Sequence, residues 1–258
     1  MKIKQVITII AIIIVIALIA TVGYGYYLKA THRVQNPVAT MEIEGYGTVK
    51  IELYPDIAPN TVTNFIKLAN NGFYNGLTFH RVVENFMIQG GDKNGDGTGS
   101  PTLKDLDESK PEDAYTIKGE MIANGNAANK LRHEEGVISM ARADYTSYSS
   151  QLLAESYNSA GSQFFIMTKN SPALNGLYTA FGKVTEGMDI IHQIEKLELA
   201  TEKNEETGEE TTTDRPVNPP VITSITVDTF GVDYGMPETL TPFDAQTWFM
   251  KNYGMMLQ

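Results

Sequence analysis

Two short segments, far apart in the sequence, most constrain what this chain can fold into and what its site can do. The first is FHRVVENFMIQGGD at residues 79–92, and the second is GSQFFI at residues 161–166. Together they supply one arginine, two glutamines and several large apolar side chains, with neither a nucleophile–base pair nor a cluster of metal ligands. Such a set can bind an apolar group and direct hydrogen bonds at it, but it is poorly suited to breaking a covalent bond.

Alternating apolar and polar residues predict that much of the chain is β-structure. Residues 41–44 and 49–53 alternate on either side of Gly45-Tyr46-Gly47, which predicts a β-hairpin with one buried face. Residues 77–89 are rich in β-forming types, and residues 221–230 alternate again, as a closing strand would.

Only two segments show a strong helical period. One begins near Pro59 and can end at Asn71-Gly72, and the other covers residues 187–199. Many short strands with two helices predict a mainly β fold, a closed antiparallel barrel capped by the helices.

The first thirty residues carry a different signal. Residues 6–22 form an almost unbroken apolar run behind Lys2 and Lys4, and no charged residue follows until Lys29. The run has about the minimum length for a membrane-spanning helix and exceeds a usual signal-peptide apolar region. We therefore expect residues 1–30 to form a signal anchor, a single transmembrane helix with the rest of the chain outside the cytoplasm. Secretion after signal cleavage is the alternative.

Composition excludes several classes of function. The net charge is −11, so a nucleic-acid partner is not expected, because phosphate contacts need clustered Lys and Arg. The absence of cysteine excludes disulfides, thiolate catalysis and Cys-ligated zinc. The four histidines, which show no ligand spacing, are His32, His80, His133 and His192. No metal site is therefore expected.

One stretch resembles the start of a calcium-binding loop. Asp92 to Gly97 read as D-x-N-x-D-G, but Leu103 stands where an EF-hand loop has its bidentate glutamate. Specific calcium binding is therefore not expected there.

The two opening segments, with GVISMA at residues 136–141 and FGKV at residues 181–184, resemble the cyclophilin family of peptidyl-prolyl cis–trans isomerases. The resemblance runs from roughly Thr40 to Gly231. It implies an eight-stranded barrel with a helix at each end, and an activity that rotates X–Pro bonds without a cofactor. Proline-containing polypeptides would be its partners, as folding clients.

The resemblance also implies roles for individual residues. Arg81 matches the catalytic arginine, and its guanidinium stays charged and presents several rigid donors; a surface ion pair is the other reading. The matched apolar positions would bind the proline ring, the two glutamines would orient the arginine and hold the substrate backbone, and the segment after GVISM would line the groove. These substrate-binding positions are Phe86, Met87, Gln89, Ala141, Arg142, Ala143, Gln163, Phe165, Leu174 and Tyr178.

Three positions depart from the family pattern. Arg142 stands where the family often has Asn, so peptides with acidic side chains could be preferred. Ala173 replaces a tryptophan that chiefly serves cyclosporin binding, so weak binding of that drug is expected. Tyr178 replaces a common histidine, and we expect activity to persist because a tyrosine can still pack on the ring and donate a hydrogen bond.

The predicted domain has flanking segments and insertions. A linker at residues 31–39 precedes the isomerase domain at residues 40–231, and a tail follows at residues 232–258 with the only tryptophan, Trp248. Polar insertions are predicted at residues 100–113, 144–159 and 202–214, the last an acidic loop. An apolar tail of this kind docks on its own domain or binds a partner.

The sequence therefore predicts a membrane-anchored isomerase that accelerates X–Pro rotation in exported or envelope proteins. The alternative is a non-catalytic chaperone or scaffold that binds proline-containing peptides. A third reading is an envelope protein that binds through its tail and acidic loop, with the barrel as support.

Overall fold

The structure, a computed structural model, describes residues 3–31, 35–203 and 208–254. His32, one of the histidines considered above, lies outside these residues, as does part of the linker predicted at residues 31–39. The chain divides into two compact units, Met1–Gln35 and Asn36–Gln258, which are described separately.

The first unit is a single helix, α1 (Ile3–Thr31). Its described large apolar side chains are exposed, among them Ile12, Ile16 and Leu18. Among the helices of the described residues, none is both long and apolar enough to cross a bilayer. The transmembrane helix predicted over residues 1–30 is therefore not confirmed.

The second unit is built on antiparallel strands, as the alternation predicts. Eight of them form one sheet in the order β10-β1-β2-β7-β5-β6-β4-β3, and β8 pairs with β9 in a separate hairpin. The strands are β1 (Val38–Ile43), β2 (Gly47–Leu53), β3 (Phe79–Val83), β4 (Met87–Gly90), β5 (Val137–Met140), β6 (Phe164–Met167), β7 (Ala180–Glu186), β8 (Leu199–Lys203), β9 (Glu210–Pro216) and β10 (Ile222–Asp228).

The prediction of a closed barrel is wrong, because the sheet is an open half-barrel with β3 and β10 at its two edges. One isolated bridge between Thr78 and Val221 connects these edges, and the Phe79 amide donates to the Pro220 carbonyl at 3.0 Å. The ladder cannot extend past this point in the chain, since Pro219 and Pro220 have no N–H to donate.

Helices α2 (Pro59–Asn70) and α5 (Met188–Ile194) correspond to the two predicted ones. Three more helices lie in the insertions and the tail: α3 (Leu103–Leu106), α4 (Leu153–Tyr157) and α6 (Ala245–Tyr253). Helix α2 has no side-chain cap from its own Ala58, and Glu120 takes that role by accepting the Asn60 and Thr61 amides at 3.1 and 2.8 Å. A carboxylate there satisfies orphan donors and favours the helix dipole.

The main core lies between the sheet, α2 and α5. The rings of Phe65, Tyr74, Phe164 and Phe181 meet there with centroids 5.2–5.8 Å apart. Strand β6 is buried on both faces: Phe164 and Ile166 point into this core, whereas Phe165 and Met167 belong to a smaller cluster on the other face. That second face carries the pocket described next.

The insertions and the tail are ordered over most of their length. Within the acidic stretch predicted as a loop at residues 202–214, the described residues belong chiefly to hairpin β8–β9, and residues 204–207 lie outside the description. The tail runs along the domain, where Leu240 pairs with Thr116 and Asn60 binds the Glu238 backbone. The predicted domain boundaries themselves stay predictions.

Candidate active site

A pocket of about 150 Å³ opens on the second face of the sheet. Strand register places three of the pocket residues in one row across neighbouring strands. Arg81 on β3 pairs with Gln89 on β4, and Gln89 pairs with Phe165 on β6. Nine of the eleven residues predicted from the sequence line this pocket: Arg81, Phe86, Met87, Gln89, Ala141, Arg142, Phe165, Leu174 and Tyr178.

The other two predicted residues, Ala143 and Gln163, line an adjoining cavity of about 340 Å³. This cavity shares Gln89, Ala141 and Arg142 with the first pocket, so the two form one groove along the surface. The structure therefore brings all eleven predicted positions together, and the roles assigned to them stay predictions.

Arg81 is contacted on two sides. Its Nη1 donates to Gln89 Oε1 at 3.4 Å and its Nε donates to Asp214 Oδ2 at 3.0 Å, while Nη2 lies 3.0 Å from the same carboxylate oxygen as an ion pair. The side chain remains 42% exposed, so the guanidinium is positioned but still accessible from the groove. Such a group is a fixed cationic donor rather than a titrating acid or base.

A relay of amide side chains continues behind Arg81. Gln89 Nε2 donates to Gln163 Oε1 at 2.9 Å, and Gln163 Nε2 lies within hydrogen-bond distance of Asp92 Oδ1 and of the Gly97 and Gly99 carbonyls, at 3.0–3.3 Å. The relay ties the orientation of Gln89 to the loop after β4.

The loop that resembles the start of a calcium site makes its contacts internally. Asp92 is 1% exposed, and its Oδ2 accepts the Asp96 and Gly97 amides, both at 2.7 Å. Within the described residues, no group of three or more His, Asp or Glu side chains could hold a metal ion. The Asp92 carboxylate instead fixes the loop to which Gln163 is bound.

The pocket wall is aromatic and apolar. The Phe165 and Tyr178 rings meet edge-to-face with centroids 5.7 Å apart, and His133 stacks on Phe165 at 6.1 Å and meets Tyr178 edge-to-face at 6.4 Å. His133 is buried, its Nε2 lies 3.1 Å from Ser139 Oγ, and burial lowers the pKa of its imidazole. The histidine therefore supports the pocket floor as a neutral ring.

Arg142 forms part of the groove wall through contacts within its own chain. Its guanidinium lies 4.5 Å from the Tyr178 ring centroid and 5.1 Å from that of Tyr157, and its Nε and Nη1 donate to the Leu177 and Ala143 carbonyls. Stacked in this way, the arginine is a rigid positive surface beside the pocket.

The second insertion and the tail form the far rim of the groove. Tyr145 packs on Phe243 with ring centroids 4.9 Å apart, and Tyr148 packs edge-to-face on Phe249 at 5.2 Å. Tyr145 and Pro242 also line the larger cavity. The tail thus docks on its own domain next to the groove.

Sequence reasoning missed two residues that contact the predicted site, Asp214 beside Arg81 and His133 beside Phe165. Asp214 is separated from Arg81 by 133 residues and lies in an acidic stretch with no local pattern that singles it out. The histidine was considered only as a metal ligand, and its apolar surroundings were the signal for a buried supporting role.

The fold and the site together define a protein with an open surface groove, in which a fixed cationic donor lies beside an apolar pocket. The family model described as "Cyclophilin type peptidyl-prolyl cis-trans isomerase/CLD" matches residues 38–227. Peptidyl-prolyl cis-trans isomerase B of Bacillus subtilis is 44% identical over 147 residues, which cover 57% of this chain and 82% of that relative. The peptidyl-prolyl cis-trans isomerase of Helicobacter pylori is 35% identical over 173 residues, covering 66% and 88%.

A crystal structure of a cyclophilin type peptidyl-prolyl cis-trans isomerase from Cryptosporidium parvum superposes with a TM-score of 0.56 at 25% identity, covering 75% of this chain and 98% of that one. This chain therefore belongs to the cyclophilin-type peptidyl-prolyl cis–trans isomerase family.

Proposed function

We propose that Arg81 is the group that accelerates X–Pro rotation in this enzyme. The barrier to rotation is ~18–20 kcal/mol because the amide loses its resonance on the way. At the twisted transition state the prolyl nitrogen becomes pyramidal and gains a lone pair. A donor aimed at that nitrogen binds the transition state more tightly than either planar ground state, and only such differential binding raises the rate.

The observation that carries this proposal is the place of Arg81 at the rim of the apolar pocket. A proline ring seated against Phe86, Met87 and Phe165 would bring its nitrogen toward the guanidinium, while Gln89 and Gln163 would bind the substrate backbone alongside. The enzyme then needs no nucleophile, because no covalent bond is made or broken.

The first experiment compares the full-length wild type with Arg81→Ala and Arg81→Lys in the cis-to-trans relaxation of a proline tetrapeptide. We expect kcat/KM to fall by roughly 100-fold or more in Arg81→Ala, the range that loss of one preorganised donor gives. Arg81→Lys should recover little, because an ammonium cannot reproduce the planar fork. Arg132→Ala, at an exposed arginine outside the pocket, is the matched control.

Unchanged catalysis in Arg81→Ala would refute the assignment of the donor. A wild type that binds proline peptides but relaxes them at the uncatalysed rate would favour the chaperone or scaffold reading instead.

We further propose that the substrates are exported or envelope proteins, whose slow X–Pro isomerisation limits folding. The apolar run at residues 6–22 supports this location, and the absence of cysteine is compatible with it. Fractionation of cells, with added protease as a probe of accessibility, tests it. A protein protected from protease in intact spheroplasts and recovered with cytosolic markers would refute it.

A further inference from the structure

The third insertion brings an acidic side chain to the proposed catalytic arginine. Asp214, on β9, accepts a hydrogen bond from Nε of Arg81 at 3.0 Å, and the same Oδ2 oxygen lies 3.0 Å from Nη2 as an ion pair. These two nitrogens lie on one edge of the guanidinium. The contact therefore occupies that edge and leaves Nη1, at the other end, beside Gln89 at 3.4 Å.

A bulge in the hairpin directs this side chain. Leu199 pairs with Pro216 and Thr201 with Thr212, so three residues of β9 lie opposite Ala200 alone. Thr213 fixes the bulge, since its Oγ1 donates to the Ala200 carbonyl at 2.9 Å and accepts the Arg215 amide at 3.2 Å. Asp214 is the middle residue of the three, and bulges beside active sites commonly re-aim a side chain in this way.

We propose that Asp214 is a positioning residue for the isomerase reaction, which acts by holding the guanidinium of Arg81 so that Nη1 faces the prolyl nitrogen. The inference rests on the proposed role of Arg81. Arginine has several rotatable bonds, and one contact through Gln89 leaves its plane free to turn. A second contact on the opposite edge fixes the plane, and a fixed donor needs no reorganisation as the transition state forms.

A purely structural role fits the geometry poorly. The Arg81 and Asp214 side chains are 42% and 51% exposed, and an ion pair in such surroundings adds little to folding stability. The effect of the contact should therefore appear in kcat rather than in the stability of the domain.

The test uses the full-length chain, with kcat and KM measured separately for the proline tetrapeptide. We expect Asp214→Ala to lower kcat about fivefold at nearly constant KM, close to the upper range of a partly exposed ion pair. Asp214→Asn should recover most of kcat, because its amide oxygen can still accept from the arginine edge. Glu202→Ala, which removes a carboxylate from an exposed position of the same hairpin, is the matched control and should behave as wild type.

The Arg81→Ala background separates the two proposals. If Asp214 acts through Arg81, Asp214→Ala should cause no further loss in that background. Three results would overturn the positioning role. Asp214→Ala could lower kcat equally in the wild-type and Arg81→Ala backgrounds, or leave the wild-type kcat unchanged. It could also raise kcat, which would show that the carboxylate restrains the arginine. If Arg81→Ala itself keeps the wild-type kcat, the donor assignment fails first and the inference fails with it.

Discussion

Changing Gln163 to glutamate should make the isomerase sensitive to pH in a range where the wild type is not. The Gln163 side chain acts as both a hydrogen-bond acceptor and a donor. Its Oε1 accepts from Gln89, and its Nε2 faces the Asp92 carboxylate and two backbone carbonyls. A carboxylate in its place can still accept from Gln89. On its other side it would have three oxygens for neighbours and nothing to donate to them.

The magnitude follows from the distance. Gln163 Nε2 lies 3.3 Å from Asp92 Oδ1. Two unit charges at that separation repel by about 5 kcal/mol at an effective dielectric constant of about 20. Solvent in the open groove screens part of this, and about half the value still moves the pKa of the introduced carboxyl well above its ordinary range. Its protonated form has an O–H to donate and so resembles the native amide.

The assay follows the cis-to-trans relaxation of a proline tetrapeptide without a coupling protease, from about pH 5 to pH 8. An introduced carboxyl with a raised pKa changes charge within this pH range. Gln163→Glu should lose roughly tenfold in kcat/KM at the alkaline end, because the repelled carboxylate displaces Gln89 and with it Arg81. Activity should return as the pH falls. Gln193→Glu, an exposed position on α5, is the matched control and should follow the wild-type profile.

A Gln163→Glu enzyme with wild-type activity throughout this range would show that the relay does not orient Arg81. An equal loss at every pH would point to misfolding of the loop after β4 rather than to charge, and circular dichroism of the variant would detect it.

Two further predictions concern the pocket floor and the rim. Burial lowers the pKa of His133 below its usual value, so the neutral ring adds stability above the unfolded pKa of about 6.5, and this stability is lost as the pH falls toward the folded pKa. The urea midpoint of the wild type should therefore drop between pH 7 and pH 5, and that of His133→Gln should drop less. Equal drops in the urea midpoints of the two proteins would contradict the assignment. Ala173 is exposed in the turn that carries Leu174, so Ala173→Trp should strengthen the weak inhibition expected for cyclosporin without changing kcat, and equal inhibition of both proteins would contradict this.

Local patterns predicted much of this fold. The β1–β2 hairpin, α2 and β10 follow from alternation, helical spacing and turn residues that lie within a few positions of one another. The family motifs brought the pocket residues together because they mark five strands that are neighbours in the sheet, in the order β7-β5-β6-β4-β3. In the β1–β2 hairpin and in α2, neighbours in sequence are also neighbours in space.

Features that depend on contacts between residues far apart in the chain could not be predicted from the sequence. The sheet stays open because Pro219 and Pro220 stop one ladder, and only the structure shows that this ladder would have been the closing one. The composition of the acidic stretch at residues 202–214 predicts a loop. Its described residues instead belong chiefly to hairpin β8–β9, which packs against β3 and brings Asp214 to Arg81. No local periodicity encodes a contact between residues so far apart in the chain.

The two supports of Arg81 come from different parts of the molecule, and this difference has a consequence. The Gln89–Gln163 relay is built from the residues that resemble the family, whereas Asp214 belongs to hairpin β8–β9, in a stretch predicted as an insertion. If Arg81 is the donor, as proposed, each added contact to its guanidinium acts on the same quantity, the fraction of time in which Nη1 faces the pocket. Losses from the two supports should therefore be coupled rather than additive. With one support removed, the other becomes the only restraint on the arginine.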